Sequence, residues 1–354
     1  MDNLTHSLCG WTLARAGLNR YSKWVTPLVI ILANLPDVET VLLPGHTRAA
    51  YLLYHRGLTH SVLMLTIYAL VFGTLLWLIE RRTAPTQKPA PWKAITICAA
   101  GLFSHLLLDW FNNYGVRPGL PFNSTWFYGD MIFIMDPWVW LMFGLPIFLG
   151  TELNLQRSVL WTVLGLLTTT LVCYGIRGNL MPWPVLVVWL GAIGLAVLFR
   201  NRFHGRAERC SRIGLLVLSV YLIIAFTASR TATERAKAEF SAAFPSGVEI
   251  IKTSVQPYPA QPWRYDVFLQ TNETLNHVNV NFLNGNAIDP VQSQLNLRDP
   301  ALDKIRSTFE YQAWRVFARH PYVVRRGNMI TFGDLRFRLL GGDWTSQTLE
   351  LPDK

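Results

Sequence analysis

Charge is scarce in this chain. Only 15% of its 354 residues are Asp, Glu, Lys or Arg, well under the roughly 25% of a soluble globular domain. That excludes a protein that is soluble throughout. Its four cysteines, Cys9, Cys98, Cys173 and Cys210, contain no CxxC pair, and three lie in apolar runs. Neither a disulfide framework nor a thiolate zinc site is supported. There is no Gly-rich phosphate loop, nucleotide motif or haem motif. There is no internal repeat and no low-complexity tract. A basic stretch followed by an apolar one and a small-residue cleavage site is missing from the start, so a cleaved signal peptide is not expected.

What the chain has instead is apolar length. About 20 consecutive apolar residues span a bilayer. Six stretches meet or approach that length: residues 58–79, 93–111, 131–150, 158–176, 181–199 and 212–228. Two shorter apolar segments, 4–17 and 24–35, precede them and are expected to form a hairpin that enters the membrane and stops inside it. The net charge of +10 would suggest nucleic acid in a soluble protein. Here the Lys and Arg residues fall in short loops between apolar runs, so the excess reads as topology and no nucleic-acid partner is expected. Loop 80–93, with Arg81, Arg82, Lys88 and Lys93, is placed inside. So is loop 200–212, with Arg200, Arg202, Arg206, Arg209 and Arg212. Alternation then puts turn 152–157 inside, and segments 44–57, 112–130 and 177–180 outside, with everything after residue 228. Arg15, Arg20 and Lys23 mark the inner turn of the short hairpin.

After Ser229 the composition becomes that of a soluble domain. Residues 233–244 read as a helix continuing from the membrane. Segments 248–255, 264–270, 275–283 and 329–339 alternate apolar and polar residues, the period of strands, and 300–319 reads as a helix opened by Asp299. The fold expectation is therefore mainly α, a polytopic membrane helical bundle with a C-terminal α+β extramembrane domain. Residues 1–150 carry the chemistry, 151–228 add transmembrane helices, and 229–354 form the soluble part.

Ionisable groups inside a membrane are costly and usually functional. The apolar first half holds His6, Asp37, Glu39, His55, His60, His105, Asp109, Asp130 and Asp136. In SHLLLDWFN, His105 and Asp109 are four residues apart and share one helix face. An imidazole and a carboxylate so placed can bind one metal ion, or can merely satisfy each other by a hydrogen bond. In HRGLTHS, Gly57 permits a tight turn, and either His55 or His60 can reach a site at the membrane's outer edge. In ANLPDVE, Pro36 ends a short helix and leaves Asp37 at its tip. In DNLTHS, His6 lies on an amphipathic start. In GDMIFIMDPW, Asp130 can serve as a helix cap, while Asp136 lies deeper.

Depth offers an independent check. At ~1.5 Å per helical residue, Asp37 lies about 21 Å from Lys23, His105 and Asp109 about 18 and 24 Å from Lys93, and Asp136 about 21 Å from Gly150. All four fall in the outer half of the bilayer, which points to one shared site. Histidine and carboxylate donors without cysteine suit zinc, with manganese or iron as alternatives. One to three ions are expected, with Asp109, Glu39 or Asp136 serving catalysis as base or bridge.

The pieces DNLTHSLCGWTLARAGL, LPDVE, HRGLTHS, HLLLDWFNNYGV, GDMIFIMDPW and QPYPAQPWRYDV resemble the YdjM-like family of membrane-bound metal-dependent hydrolases. The resemblance covers residues 1–140 well and the rest loosely. It implies a bacterial inner-membrane protein with a periplasmic C-terminal domain. That family is similar in motif order to zinc-dependent phospholipase C, whose ligand pattern falls here on His6, Asp37, His60 or His55, His105 and Asp109. The expected activity is hydrolysis of a phosphoester or ester in a lipid or amphiphilic substrate, with membrane lipids as partners. Two rival readings are a metal-ion or proton-coupled transporter and a non-catalytic membrane scaffold with a binding domain. The later spans lack intramembrane acids and histidines, which favours a single site on a scaffold over an ion path.

Overall fold

The computed structural model describes residues 1–42, 45, 47–83, 90–244, 247–284, 291–338 and 343–352, and at 291 and 292 the backbone alone. Pro44, Lys88 and Leu339, which bound or mark expected segments, lie outside them. The described residues divide into two compact units. The first comprises Met1–Pro36, Leu58–Ala228 and Pro257–Pro262. The second comprises Asp37–Gly57, Ser229–Gln256 and Trp263–Lys354. The division differs from the expected 1–150, 151–228 and 229–354. The helices between residues 58 and 228 belong to the first unit, and residues 37–57 to the second.

The first unit opens with a helical hairpin, α1 (Asn3–Arg15) and α2 (Val25–Leu32). Asp2 caps α1 by accepting from Thr5 N at 3.0 Å and Thr5 Oγ1 at 2.6 Å. Gly10 lets the two backbones touch: a Cβ there would stand 2.9 Å from the Val29 carbonyl oxygen and 3.0 Å from Ala33 Cβ. Asn34 Nδ2 donates to Ser7 Oγ at 3.1 Å, which fixes the antiparallel register. The expected short hairpin is therefore present.

Among the described residues, five helices are long and apolar enough to cross a bilayer: α4 (Val62–Thr83), α5 (Pro91–Trp110), α7 (Leu155–Arg177), α8 (Pro184–Phe203) and α9 (Ala207–Ala243). Proline at the first turn starts α5 and α8, and the Asn154 side chain caps α7. The sixth expected span differs. Residues 131–135 are not helical, and α6 runs only over Pro137–Gly150, about 21 Å. Asp136 and Pro137 start it late. The last span and the expected helix over 233–244 are one continuous rod, α9, about 55 Å long, well beyond the ~30 Å hydrocarbon core. Of the five, α5 is the most enclosed. It packs on α4 where Gly73 meets Ile95, and on α2 where Gly101 meets Val29 and Leu32.

The basic residues converge at one end of this unit. Arg212 Nε donates to the Ala16 carbonyl oxygen at 2.9 Å. Arg20 and Arg212 both pair with Glu208, at 2.6 and 2.5 Å. Arg200 Nη2 donates to the Thr151 oxygen at 2.6 Å, and Ser22 Oγ donates to Glu80 Oε1 at 2.5 Å. At the same level Gly150 abuts Ala207 so closely that no side chain fits between them.

The second unit contains α3 (Arg48–Tyr54) and two sheets. The four-stranded sheet has the order β1 (Lys252–Tyr258), β2 (Gln261–Gln270), β3 (Thr274–Asn281), β4 (Val291–Gln294). The three-stranded sheet has the order β5 (Pro321–Arg326), β6 (Met329–Asp334), β7 (Gln347–Glu350). The turn between β1 and β2, Pro257–Pro262, clusters with the membrane helices. β2 and β3 pair antiparallel, with Tyr265 opposite Val280. β5 and β6 do likewise, with Val323 opposite Phe332. Short helices α10 (Ala301–Ile305), α11 (Phe309–Phe317) and α12 (Leu335–Arg338) complete the unit. Trp314, Val323, Ile330 and Phe332 form its apolar centre. Helix α3 belongs here because Tyr51 packs edge-on against Trp344 and Arg48 Nη1 donates to the Ser346 oxygen at 2.5 Å.

One buried ion pair fixes the turn after β6. Asp334 and Arg336, 0% and 1% exposed, meet at 2.7 Å. Asp334 also accepts from the backbone of Arg319 and Arg336. Burial opposes the charge on Asp334, but the Arg336 guanidinium outweighs it and holds the carboxyl below its ordinary range. Removing one partner of such a pair strands the other in a dry interior and costs about 3–5 kcal/mol. Arg336→Met is therefore expected to destabilise the second unit by about that amount. Pulse proteolysis of the full chain in urea should show it as earlier cleavage after residue 228. An unchanged urea midpoint would contradict the account.

Candidate metal centre

Four buried groups of the first unit meet near the end of α5. His105 and Asp109 project from one face of that helix, with His105 Nε2 3.4 Å from Asp109 Oδ2. His60 arrives on the single 3-10 turn Leu58–His60. Ser61 fixes this turn by donating to the Leu58 oxygen at 2.7 Å and accepting from Met64 N at 3.2 Å. Val62 N is held by the Pro118 oxygen at 3.0 Å. His60 Nε2 stands 3.0 Å from His105 Nε2 and 3.4 Å from Asp109 Oδ2. His6, on α1, stacks on His105 with ring centroids 3.8 Å apart and places Nε2 3.4 Å from Asp109 Oδ1. The three imidazoles are 0% exposed and Asp109 is 1% exposed.

The tautomer of His105 follows from its surroundings. Its Nδ1 lies 2.7 Å from the Ala33 carbonyl oxygen. A carbonyl only accepts, so Nδ1 carries the proton and Nε2 presents a lone pair to His60 and Asp109. This is the outer-shell arrangement that orients a metal-binding histidine. The Gly10 contact matters here, because it seats α2 against α1 and so sets the height of Ala33.

Two imidazole nitrogens 3.0 Å apart, one of them an acceptor, need a cation or a proton between them. A shared proton would satisfy His60 and His105 alone. It leaves both ring nitrogens of His6 without a hydrogen-bond partner inside the bundle, at a cost of about 1–3 kcal/mol for such a group. A metal ion would take one nitrogen from each ring together with an Asp109 oxygen. Donors about 2.0–2.2 Å from a tetrahedral ion stand about 3.3–3.6 Å from one another. The separations here are 3.0, 3.4, 3.4 and 3.4 Å. The α-amino group of Met1, itself a cation, is set against Asp109 Oδ1. The donor set therefore fits a divalent ion.

Asp37 follows Pro36 directly and is buried. One ligand atom each from Asp37, His60, His105 and Asp109 lie within 4.8 Å of one another, and this buried cluster could hold a metal ion. A profile described as YdjM inner membrane protein matches residues 1–181. The chain belongs to the YdjM family. It is also 27% identical over 109 residues to the uncharacterized protein YfhP of Bacillus subtilis strain 168, an alignment that covers 31% of this chain and 31% of that relative. No solved structure matches.

The remaining candidates lie in other surroundings. His60, not His55, joins the cluster. His55 Nδ1 sits 3.3 Å from Glu39 Oε1 in the second unit, its ring stacked on Tyr51. Glu39 Oε1 also accepts from Arg56 N at 2.5 Å, at a residue with φ of 53°. Asp130 lies in the loop after α5 with φ of 55°. Asp136 stands outside the histidine group. It caps α6, accepting from Trp138 N at 2.9 Å, Tyr221 Oη at 2.9 Å and Ala260 N at 3.4 Å. These bonds tie the start of α6 to Tyr221 of α9 and to the turn at Ala260. The Ala33 carbonyl had no sequence signal, because every residue offers one.

Metal content tests this centre directly. Wild-type protein purified without chelator is expected to carry a stoichiometric divalent ion by inductively coupled plasma mass spectrometry, and His105→Ala is expected to lose it while still inserting. Equal metal in the two proteins would refute the assignment.

Proposed function

We propose that this YdjM-family chain is a membrane-bound metal-dependent hydrolase, acting on a phosphoester or ester of a lipid or amphiphilic substrate. Zinc is the favoured ion, because imidazole and carboxylate donors at tetrahedral spacing suit it. One observation carries the reading: His6, His60, His105 and Asp109 come from three separate segments and converge, fully buried, at metal-ligand separations. A divalent ion held there polarises a phosphoryl or carbonyl oxygen and brings the pKa of water toward neutrality.

The chain's own residues supply orientation. The Ala33 carbonyl keeps the proton of His105 on Nδ1. Asp109 touches all three imidazoles and offsets positive charge in a region of low dielectric. The apolar walls of α1, α2 and α5 keep bulk water out, which strengthens every electrostatic interaction inside.

Level and direction support a substrate at an interface. Arg20, Arg200 and Arg212 mark one end of the unit, and by the positive-inside rule that end faces the cytoplasm. His105 stands about 18 Å and Asp109 about 24 Å along α5 from Lys93 at the helix start. The site thus belongs to the outer half of the inner membrane, near the lipid headgroups, and the second unit is periplasmic.

The test is turnover of bis(p-nitrophenyl) phosphate by the full chain in nanodiscs. Activity should fall at least about a hundredfold in Asp109→Asn and in 1,10-phenanthroline, and return with added zinc. No turnover by metal-loaded protein, together with ion flux in sealed vesicles, would overturn the hydrolase reading in favour of transport.

A further inference from the structure

A second feature of the membrane unit has no place in the chemistry above. Helices α1, α6, α7 and α8 enclose an elongated cavity of about 520 Å³, within the roughly 300–1,000 Å³ of small-ligand pockets. Its lining is overwhelmingly apolar. Along α6 it runs from Trp140 to Phe148, about 12 Å, and along α7 from Ser158 to Thr169, about 17 Å. Leu166 and Val197 on its margin are 65% and 58% exposed, so it reaches the lateral surface of the helices where lipid tails lie.

We infer that this cavity is an acyl-chain groove, which holds one tail of the lipid whose headgroup ester meets the metal centre. The inference deepens the hydrolase reading and rests on it for the identity of the substrate. Two observations carry it. Helix α1 is shared: Leu4 and Leu8 line the groove, and His6 between them points to Asp109. Groove and centre are therefore two faces of one helical turn and a half. Finally, the wall is left open by a glycine: a Cβ on Gly165 would meet nothing within 4 Å. A protein that only needed a packed bundle would fill such a void, since voids in apolar interiors forfeit dispersion contacts.

The occupant is an acyl chain rather than a second helix. The groove lies between helices of this chain and opens beside Leu166 and Val197 on the lateral surface, where acyl chains are the surrounding solvent.

The experiment uses the full chain in nanodiscs containing a phosphatidylethanolamine with a diazirine in mid-chain. After illumination, crosslinks are mapped by mass spectrometry. In wild type they are expected to concentrate on α6 and α7 at the groove, around Trp140, Trp161 and Thr168. Gly165→Phe should cut that labelling at least five-fold and leave metal content unchanged. Gly191→Phe, at an α8 glycine that likewise meets nothing within 4 Å but does not line the groove, should leave the groove labelling as it is. Uniform labelling of all lipid-facing helices, or groove labelling untouched by Gly165→Phe, would mean annular lipid only and overturn the inference. Bis(p-nitrophenyl) phosphate has no tail and reports the centre separately. Its turnover surviving a negative crosslinking result sinks the groove alone. Groove labelling without any turnover sinks the hydrolase reading and reduces the groove to a lipid-binding site.

Discussion

Everything in the membrane unit turns on a requirement for positive charge among buried acceptors. His105 shows a lone pair to His60 because the Ala33 carbonyl holds its proton on the opposite nitrogen. Asp109 adds an anion beside both. In an apolar bundle such acceptors are costly unless a proton or a cation lies among them. The surrounding fold serves to keep them together: Gly10 presses α2 onto α1, Gly101 seats α2 on α5, and Ser61 fixes the turn that carries His60. At Gly10 a side chain would press on the Val29 and Ile30 backbone and push the two helices of the hairpin apart.

Much of this was legible in the sequence, for a physical reason. Helical spacing is rigid, so His105 and Asp109 had to share a face. The cost of ionisable groups in lipid made their common depth informative. Other features depend on tertiary contacts that spacing does not encode. His55 and His60 flank Gly57, and only the fold shows His60 in the cluster and His55 against Glu39. Hydropathy carries the expected span through 131–150, whereas α6 begins only at Pro137. The Asp-Pro step is itself a start signal for a helix, and the carboxylate caps α6. The single rod of α9 joins two segments that hydropathy separates, since helix propensity continues where apolarity ends.

The two faces of α1 illustrate how a membrane protein can serve polar and apolar parts of one amphiphile. His6 turns toward Asp109, while Leu4 and Leu8 turn toward the cavity beside α6 and α7. Asp2 and Thr5 hold this helix in rotation, because Trp140 Nε1 donates to Thr5 Oγ1 at 3.0 Å. A shift of α1 about its axis would disturb both environments at once.

The hydrogen bond from Arg48 to Ser346 joins residues 298 positions apart. Ribosomes add about 5–20 residues per second. Helix α3 is thus made roughly a quarter of a minute to a minute before the strand and loop that enclose it. During that interval Tyr51 and Tyr54 have no apolar partner from the C-terminal half, and the short segment between Pro36 and Leu58 must wait as a tethered strap. Biogenesis of this protein therefore includes a late clasping step, in which the segment around Ser346 closes over a helix made 298 residues earlier.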